Sequence, residues 1–145
     1  MNIVAIIPAR MNSSRFPGKP LEKIHGMPMI GHCLLRTQLC DKLTGTYVAT
    51  CDKEIYEYVH SVGGKAIMTS DSHERASDRT AEAMTFIENE NGEKVDIVVM
   101  VQGDEPMIQP SMIEESLAPF NDSSVEVVNL MSNIDSIQEF EDPNE

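Results

Sequence analysis

The strongest constraint on the fold is the segment of residues 2–8, in which the β-branched run IVAII ends at a proline. Short apolar runs of this kind are typical of strands that are buried on both faces. Four later segments have a similar pattern and are also predicted as strands: residues 46–51, 65–69, 95–101 and 125–131. The third of these (VDIVVMV) is the strongest candidate for a buried strand. The core of this chain is therefore predicted to form around a sheet.

Segments with a helical spacing of apolar residues lie between the predicted strands. Residues 28–40 and 53–62 each place their apolar side chains on one face, and a Gly-Gly pair ends the second segment. Two further helices are predicted, over residues 77–89 with Ser77 as the N-cap and over residues 110–117. Strands that alternate with helices favour a mainly parallel sheet with helices on both of its faces.

The composition indicates one acidic globular domain. The chain has 145 residues, 41% hydrophobic and 24% charged, with a net charge of −13 and a pI near 4.6. This charge argues against sequence-independent binding to nucleic acid, and no apolar run approaches the ~20 residues of a membrane span. The amino-terminal apolar run is too short for a secretory signal and lacks a basic lead-in. Cys33, Cys40 and Cys51 cannot all pair and lack metal-site spacing, so a reducing cytoplasm is the predicted location.

The charges are distributed unevenly along the chain. Residues 1–85 contain ten basic and nine acidic side chains, whereas residues 86–145 contain one basic and fifteen acidic side chains. The cations that could bind an anionic ligand therefore lie almost entirely in the first part, and the acidic end, residues 135–145, is interpreted as a solvated segment.

Three cations follow the first predicted strand in the segment of residues 8–20 (PARMNSSRFPGKP). Arg10, Arg15 and Lys19 are spaced by five and four residues in a loop with Gly and Ser, and their side chains suit the oxygens of a polyphosphate. The segment has neither the Walker pattern G-x-x-x-x-G-K-[ST] nor the dinucleotide pattern G-x-G-x-x-G. An ordinary exposed basic loop has the same composition, so both interpretations stay open.

Two carboxylates follow the strand predicted over residues 95–101, in the sequence QGDEP. Asp104 and Glu105 suit a hard cation such as Mg²⁺, but neighbouring residues point in opposite directions, so both are not expected to bind one ion. The alternative is an ordinary turn with solvated acids. In open parallel sheets, ligands bind at the carboxyl ends of the strands, where this loop and the basic loop are both predicted to lie.

A third polar segment, residues 72–79 (SHERASDR), leads into the third predicted helix. It offers hydroxyls, two arginines and a helix N-terminus that could face an anionic ligand. The alternative is a capped helix start, which is the preferred interpretation for Asp78. His73 could contact a ligand, although no second His or Cys stands at metal-ligand spacing.

Five short segments together resemble, in order, the 3-deoxy-manno-octulosonate cytidylyltransferase family, the CMP-Kdo synthetases of lipopolysaccharide synthesis. The segments are residues 7–10 (IPAR), 14–21 (SRFPGKPL), 26–30 (GMPMI), 48–50 (VAT) and 101–106 (VQGDEP). The resemblance implies an α/β fold: a Rossmann-like three-layer nucleotidyltransferase fold with a mainly parallel sheet, whose C-terminal part is missing. It also implies that residues 1–145 form the nucleotide-binding portion of a longer cytidylyltransferase domain.

The resemblance further implies a Mg²⁺-dependent reaction of CTP with a 3-deoxy-2-ulosonic acid, which gives the CMP-sugar and pyrophosphate. Arg10, Arg15 and Lys19 would hold the triphosphate, and Asp104 would bind the Mg²⁺. The residues expected around the cytosine and ribose are Pro8, Ala9, Ser77, Arg79 and Gln102, with Arg10, Arg15 and Lys19 completing the nucleotide site. The full-length form would be a homodimer.

Two departures from the family pattern leave alternatives open. Residues 73–79 read HERASDR where the family usually has His-x-Ser-Gly-Thr-Asp/Glu-Arg, so a glycine is lost and Arg75 is added. The activated acid could therefore be an 8-amino-3,8-dideoxy or sialic-acid-like sugar. The C-terminal part that family members have and this chain lacks would supply a further acidic metal ligand, much of the sugar pocket and the dimer contacts. Weak or no turnover is expected from this chain, and a non-catalytic nucleotide-binding fragment is the alternative from another class.

Overall fold

The computed structural model describes residues 1–143, with the backbone alone for Phe140, and divides into two units, Met1–Glu114 and Glu115–Glu145. Its strands are β1 (Ile3–Pro8), β2 (Lys23–Ile24), β3 (Met27–Pro28), β4 (Gly45–Thr50), β5 (Lys65–Met68) and β6 (Ile97–Met100). Its α-helices are α1 (Met29–Thr37), α2 (Lys53–Ser61), α3 (Ala76–Asn91), α4 (Pro110–Leu117) and α5 (Ile137–Glu141). Short 3₁₀ turns occupy Lys19–Leu21 and Ala118–Asn121. The organisation of residues 1–145 as one nucleotide-binding portion stays a prediction.

The first unit is built on a four-stranded sheet in the order β5-β4-β1-β6, in which every pairing is parallel. The chain moves outward from β1 to β4 and β5 and then returns through α3 to β6 on the other side of β1. Because such crossovers are right-handed, α1 and α2 cover one face and α3 covers the other. The predicted α/β fold class and three-layer parallel sheet are confirmed. The order of the strands reverses between β1 and β6, which is where ligands bind in open sheets of this type.

The two faces of the sheet bury separate sets of apolar side chains. On the α3 face, Ala83 and Ile87 of the helix pack with a cluster from three strands: Val4, Ile6, Ala49 and Ile67. The opposite face buries these side chains of the strands and of α1 and α2: Ile7, Ile30, Leu34, Val48, Ile55 and Val59. Each of the larger side chains contributes about 1.5–3 kcal/mol when it is fully buried. This double burial explains why the strands are continuous apolar runs.

Most predicted elements are confirmed within a few residues, including the strands at residues 2–8, 46–51 and 65–69. The helices predicted at residues 28–40 and 53–62 correspond to α1 and α2, those predicted at 77–89 and 110–117 correspond to α3 and α4, and α1 ends three residues early. A two-stranded hairpin, β2-β3, was not predicted. Its turn places both His25 (φ 50°) and Gly26 (φ 81°) in the left-handed region, as the tight primed turn of a hairpin requires.

Two predictions about individual elements were wrong, and a third was right about the strand but not about its length and burial. Residues 125–131 form no strand, because no strand among residues 1–143 pairs with them, and Met131 is 93% exposed. The strand predicted over residues 95–101 is shorter and only half-buried: β6 is the last strand of the described sheet, so its outer edge has no neighbour there. Ser77 is not the N-cap, because the Arg79 amide already donates to the Arg75 carbonyl and starts the helix earlier.

The described residues of the acidic end are mostly exposed, as predicted for a solvated segment, and within it Ile137–Glu141 forms a short helix whose N-cap Ser136 accepts a hydrogen bond from the Glu139 amide. Residues 144 and 145 of that predicted solvated segment lie outside the described part. No helix within residues 1–143 is long and apolar enough to cross a membrane.

Candidate functional site

The loop that follows β1 is closed at its base by three backbone groups. The Ala9 amide donates to the Ala49 carbonyl (2.9 Å) and so extends the β1–β4 ladder by one residue. The Met11 amide donates to the carboxylate of Asp52 (2.7 Å), and the Met11 carbonyl accepts a hydrogen bond from the Gly18 amide (2.8 Å). Gly18 has φ 77°, a conformation that glycine adopts without strain. Residues 11–18 therefore form a short loop with a fixed base.

The predicted phosphate-binding cations lie at the two sides and the tip of this loop. Arg10 precedes the base, Arg15 is near the tip, and Lys19 follows Gly18. Arg10 and Arg15 are exposed, and neither guanidinium has a hydrogen-bond or ion-pair partner within residues 1–143. Their donors are thus available to an anionic ligand.

The loop after β6 packs directly against the end of β1. A Cβ atom on Gly103 would lie 2.6 Å from the Pro8 carbonyl oxygen and 3.3 Å from Ala9 Cβ, so only glycine allows this approach. On its other side, the Cys33 thiol of α1 donates to the Gly103 carbonyl (3.4 Å). Burial raises the pKa of Cys33 to about 11, so the thiol is protonated at neutral pH and can donate. The prediction that both loops lie at the carboxyl ends of their strands is confirmed, and the structure adds that the two loops are in contact.

Lys19 and Asp104 are the predicted site residues that the structure pairs. Lys19 Nζ and Asp104 Oδ2 are 3.5 Å apart, and both side chains are about half exposed, at 43% and 56%. An exposed ion pair of this kind contributes about 1 kcal/mol or less, so a ligand can replace it at little cost. The cationic loop and the acidic loop are therefore within reach of one small, charged ligand.

Asp104 fits Mg²⁺ as a single carboxylate ligand. No group of three or more His, Cys, Asp or Glu side chains within residues 1–143 is arranged to hold a metal ion. Mg²⁺ needs no such cage, because it commonly binds one or two carboxylates and takes its other ligands from phosphates and water. The half-exposed carboxylate of Asp104, beside the phosphate-type cation Lys19, has the donor chemistry for that arrangement.

The residues predicted near the base and ribose are more widely placed. Pro8 and Ala9 are buried at the end of β1, Gln102 is exposed in the loop after β6, and Ser77 is exposed in the first turn of α3. Arg79 is only 3% exposed. Its Nη1 donates to the Thr69 hydroxyl and to the Ser70 carbonyl (3.2 Å), so this guanidinium supports the loop after β5.

That loop is fixed a second time by Glu82 on α3. The Glu82 carboxylate accepts hydrogen bonds from His73 Nε2 and from the Ser70 amide (3.1 Å). These two bonds, the one from His73 first, lower the pKa of the Glu82 carboxyl. His73 is thereby turned toward α3, and it contributes to the shape of the loop.

Three residues with a part in this geometry were missed by the sequence analysis. Asp52 follows the carboxyl end of β4, and the strand-end argument applied to Asp104 could have identified it. Nothing in the sequence marks Cys33 or Glu82 as part of this geometry. Each occupies an ordinary helix position and acquires its role only through a hydrogen bond to a loop elsewhere in the chain.

Known proteins similar to this chain were found both by sequence and by structure. The profile of the cytidylyltransferase family matches residues 4–145. A 3-deoxy-manno-octulosonate cytidylyltransferase of Geobacter metallireducens is 45% identical over 99% of this chain and 55% of its own length. An 8-amino-3,8-dideoxy-manno-octulosonate cytidylyltransferase of a Shewanella strain is 45% identical over 83% of this chain and 48% of its own length.

Among solved structures, a CMP:2-keto-3-deoxy-manno-octonic acid synthetase in complex with CTP superposes with a TM-score of 0.78 and 40% identity, over 86% of this chain and 50% of that one. The chain thus spans about half the length of the relatives it matches. The resemblance stated from the five sequence segments is confirmed.

Proposed function

Because this chain belongs to the cytidylyltransferase family, we propose that it is the CTP-binding part of an enzyme that activates a 3-deoxy-2-ulosonic acid such as 3-deoxy-manno-octulosonate. The observation that carries the proposal is the pairing of Lys19 with Asp104 where the order of strands reverses. It puts a phosphate-type cation and a hard carboxylate at the edge of the sheet where a nucleotide is expected.

In the proposed reaction, the anomeric hydroxyl oxygen of the sugar acid attacks the α-phosphorus of CTP. A new C–O–P link forms, the bond between the α-phosphorus and the bridging oxygen breaks, and pyrophosphate leaves with the electron pair while the hydroxyl proton passes to water. Negative charge grows on the bridging and leaving oxygens. Arg10, Arg15 and Lys19 would hold the triphosphate and stabilise that charge with preorganised donors.

The proposal requires no covalent intermediate on the protein. When bound at Asp104, Mg²⁺ would supply a positive charge that neutralises phosphate oxygens. On the nucleoside side, Pro8, Ala9 and Gln102 would border the cytosine and ribose from the ends of β1 and β6. Ser77 would contact the nucleoside from the first turn of α3. Arg79 would act indirectly, because its hydrogen bonds hold the loop after β5 in place.

Three alternatives concern either the identity of the activated acid or the activity of this chain. The Shewanella relative supports an 8-amino-3,8-dideoxy acid as a second candidate, and a sialic-acid-like acid is a third. A non-catalytic nucleotide-binding fragment is the alternative without chemistry. The whole enzyme is proposed to be a cytoplasmic homodimer that takes CTP and an acidic sugar, in keeping with the free thiols of Cys33, Cys40 and Cys51.

The test is pyrophosphate release from CTP and Mg²⁺ with a panel of ulosonic acids. It uses this 145-residue chain alone and the chain fused to the remaining C-terminal part of the Geobacter metallireducens relative. We expect both proteins to bind CTP, and the fusion to release pyrophosphate fastest with 3-deoxy-manno-octulosonate. The Asp104→Asn form of the fusion is the matched inactive control. CTP binding without pyrophosphate release from any acid would favour the non-catalytic alternative, and no CTP binding would overturn the proposal.

A further inference from the structure

We propose that Asp52 is a positioning residue for the triphosphate: its carboxylate fixes the backbone from which Arg10 and Lys19 extend. The inference rests on the proposed function, in which those cations hold CTP. Asp52 belongs to none of the segments that carry the family resemblance, and it follows β4, which β1 separates from the strand that Asp104 follows.

The first observation is that Asp52 occupies a capping position without capping. It is the N-cap residue of α2 with extended backbone angles (φ −103°, ψ 122°), where an Asp side chain normally accepts a hydrogen bond from its own helix. The Asp52 side chain makes no such bond. Its Oδ2 instead accepts the Met11 amide at 2.7 Å, from a residue 41 positions away in the chain. The stabilisation that a capping hydrogen bond would give α2 is forgone for this contact.

The second observation is that Asp52 is itself held in place. Its own amide donates to the Thr50 hydroxyl (3.1 Å), and Thr50 is fully buried in β4. The Cys51 thiol donates to the same carboxylate oxygen (3.6 Å). The acceptor that meets Met11 is therefore anchored in the rigid sheet, which is the condition for accurate positioning.

The third observation is that Met11 connects the two ends of the loop of residues 11–18. Its N–H is bound by Asp52 and its carbonyl by the Gly18 amide, so both ends of residues 11–18 are fixed through one residue. Arg10 lies between the Ala9 amide, which is part of the β1–β4 ladder, and the Met11 amide. Lys19 follows Gly18 directly. One carboxylate thus orients the backbone on both sides of the loop.

The negative charge of Asp52 repels an anionic ligand. Asp52 can therefore favour ligand binding only as a hydrogen-bond acceptor for the Met11 amide. A charged acceptor makes the stronger hydrogen bond, and the partly buried site limits its screening. Asparagine retains an acceptor oxygen of the same reach without the charge. Serine can cap α2 but is too short to replace the bond to Met11. These two substitutions separate positioning from charge and from helix stability.

The experiment compares wild type, Asp52→Ser and Asp52→Asn by calorimetric titration with CTP and with CMP in the presence of Mg²⁺. We expect Asp52→Ser to weaken CTP binding about tenfold and CMP binding about twofold or less, with an unchanged or higher Tm. Asp52→Asn should stay within about threefold of wild type for both ligands. The exchange rate of the Met11 amide hydrogen, measured by NMR without ligand, should rise in Asp52→Ser and stay low in Asp52→Asn.

The possible results distinguish this inference from the proposed function. If the Met11 amide is equally protected in Asp52→Ser and wild type, or if CTP binds both equally well, the positioning role is wrong. Equal losses of CTP and CMP binding together with a lower Tm would assign Asp52 a general structural role and also overturn it. If wild type binds no CTP while the Met11 amide responds as expected, the proposed function fails and the backbone contact alone survives.

Discussion

Lys19 and Asp104 form an ion pair between the loop after β1 and the loop after β6, with Nζ and Oδ2 3.5 Å apart. In the proposed complex, Lys19 binds phosphate and Asp104 binds Mg²⁺. Phosphate and Mg²⁺ together therefore replace the ion pair between Lys19 and Asp104. Without Mg²⁺, a nucleotide must compete with Asp104 for Lys19 and is also repelled by its charge. The pair therefore couples the binding of the metal to the binding of the nucleotide.

Asp104→Asn is expected to reverse the effect of Mg²⁺ on CTP affinity. With Mg²⁺ the variant should bind CTP about tenfold or more weakly than wild type, because a metal ligand is lost. In EDTA it should bind CTP more tightly than wild type, because Lys19 is freed and a negative charge is removed. Titrations of both proteins in the two buffers measure this. Glu105→Gln, which removes the neighbouring exposed carboxylate, is the control, and an identical response from it would contradict the specific role of Asp104.

Gly103→Ala is expected to destabilise the first unit and weaken CTP binding. The new Cβ would lie 2.6 Å from the Pro8 carbonyl oxygen, and because that atom belongs to the backbone of β1 it cannot move aside cheaply. Overpacking of this kind typically costs about 1–3 kcal/mol, measurable as a loss in the free energy of unfolding in urea. In the control Gly45→Ala, the Cβ meets the Tyr47 ring, which is a movable side chain. Equal losses in the two variants would rule out the backbone contact as the cause.

The sheet could be predicted from sequence because the pattern that encodes it is local. A run such as IVAII at residues 3–7 indicates a doubly buried strand wherever it occurs, and alternation with helices then implies parallel pairing. The placement of the two loops follows from the same rule, since the carboxyl ends of parallel strands share one edge of the sheet. The ion pair between Lys19 and Asp104 became visible only in the fold.

The remaining features depend on contacts between distant parts of the chain. The bond from Cys33 to Gly103 joins residues 70 positions apart, and the bond from Met11 to Asp52 spans 41. Neither produces a periodic pattern that sequence analysis could detect. Residues 125–131 show the converse error, because their strand-like composition has no effect without a partner strand. Arg79 stays a predicted neighbour of the nucleoside, and its burial and its hydrogen bond to Thr69 became visible only in the fold.

Arg15→Ala is expected to reduce the salt dependence of CTP binding. Arg15 is exposed near the tip of the loop, and within residues 1–143 its guanidinium has no partner, so its attraction to phosphate is largely a screened Coulomb interaction. The screening length falls from about 30 Å at 0.01 M salt to about 8 Å at 0.15 M. The loss of affinity relative to wild type should therefore be greatest at low salt. The control Lys42→Ala removes an exposed cation near the amino ends of the strands and should leave the salt dependence of CTP binding unchanged. If Lys42→Ala lost CTP affinity at low salt as Arg15→Ala does, the effect would be due to net charge and not to the position of Arg15.

Glu82→Gln is expected to reduce stability at neutral pH and to lose that effect in acid. The hydrogen bond from His73, and after it the bond from the Ser70 amide, holds the pKa of the Glu82 carboxyl below its ordinary value of 4.5. A carboxyl with a lowered pKa in the folded state stabilises the protein fully above its unfolded pKa. That stabilisation disappears as the pH falls from 4.5 through the folded pKa, since the unfolded chain takes up the proton first. The Tm difference between wild type and Glu82→Gln should accordingly be constant near neutral pH and shrink below about pH 4.5.

Two further variants test whether this pH dependence arises from the contacts of Glu82 with the loop after β5. His73→Ala removes the main cause of the lowered pKa, so the pKa of Glu82 should move toward 4.5 and the acid-dependent part of the Tm difference should become smaller. Glu90→Gln, which removes an exposed carboxylate on the same helix, is the control variant. A Tm difference for Glu82→Gln that stays constant down to about pH 3 would mean that the contacts with His73 and Ser70 do not favour the ionised carboxylate in solution.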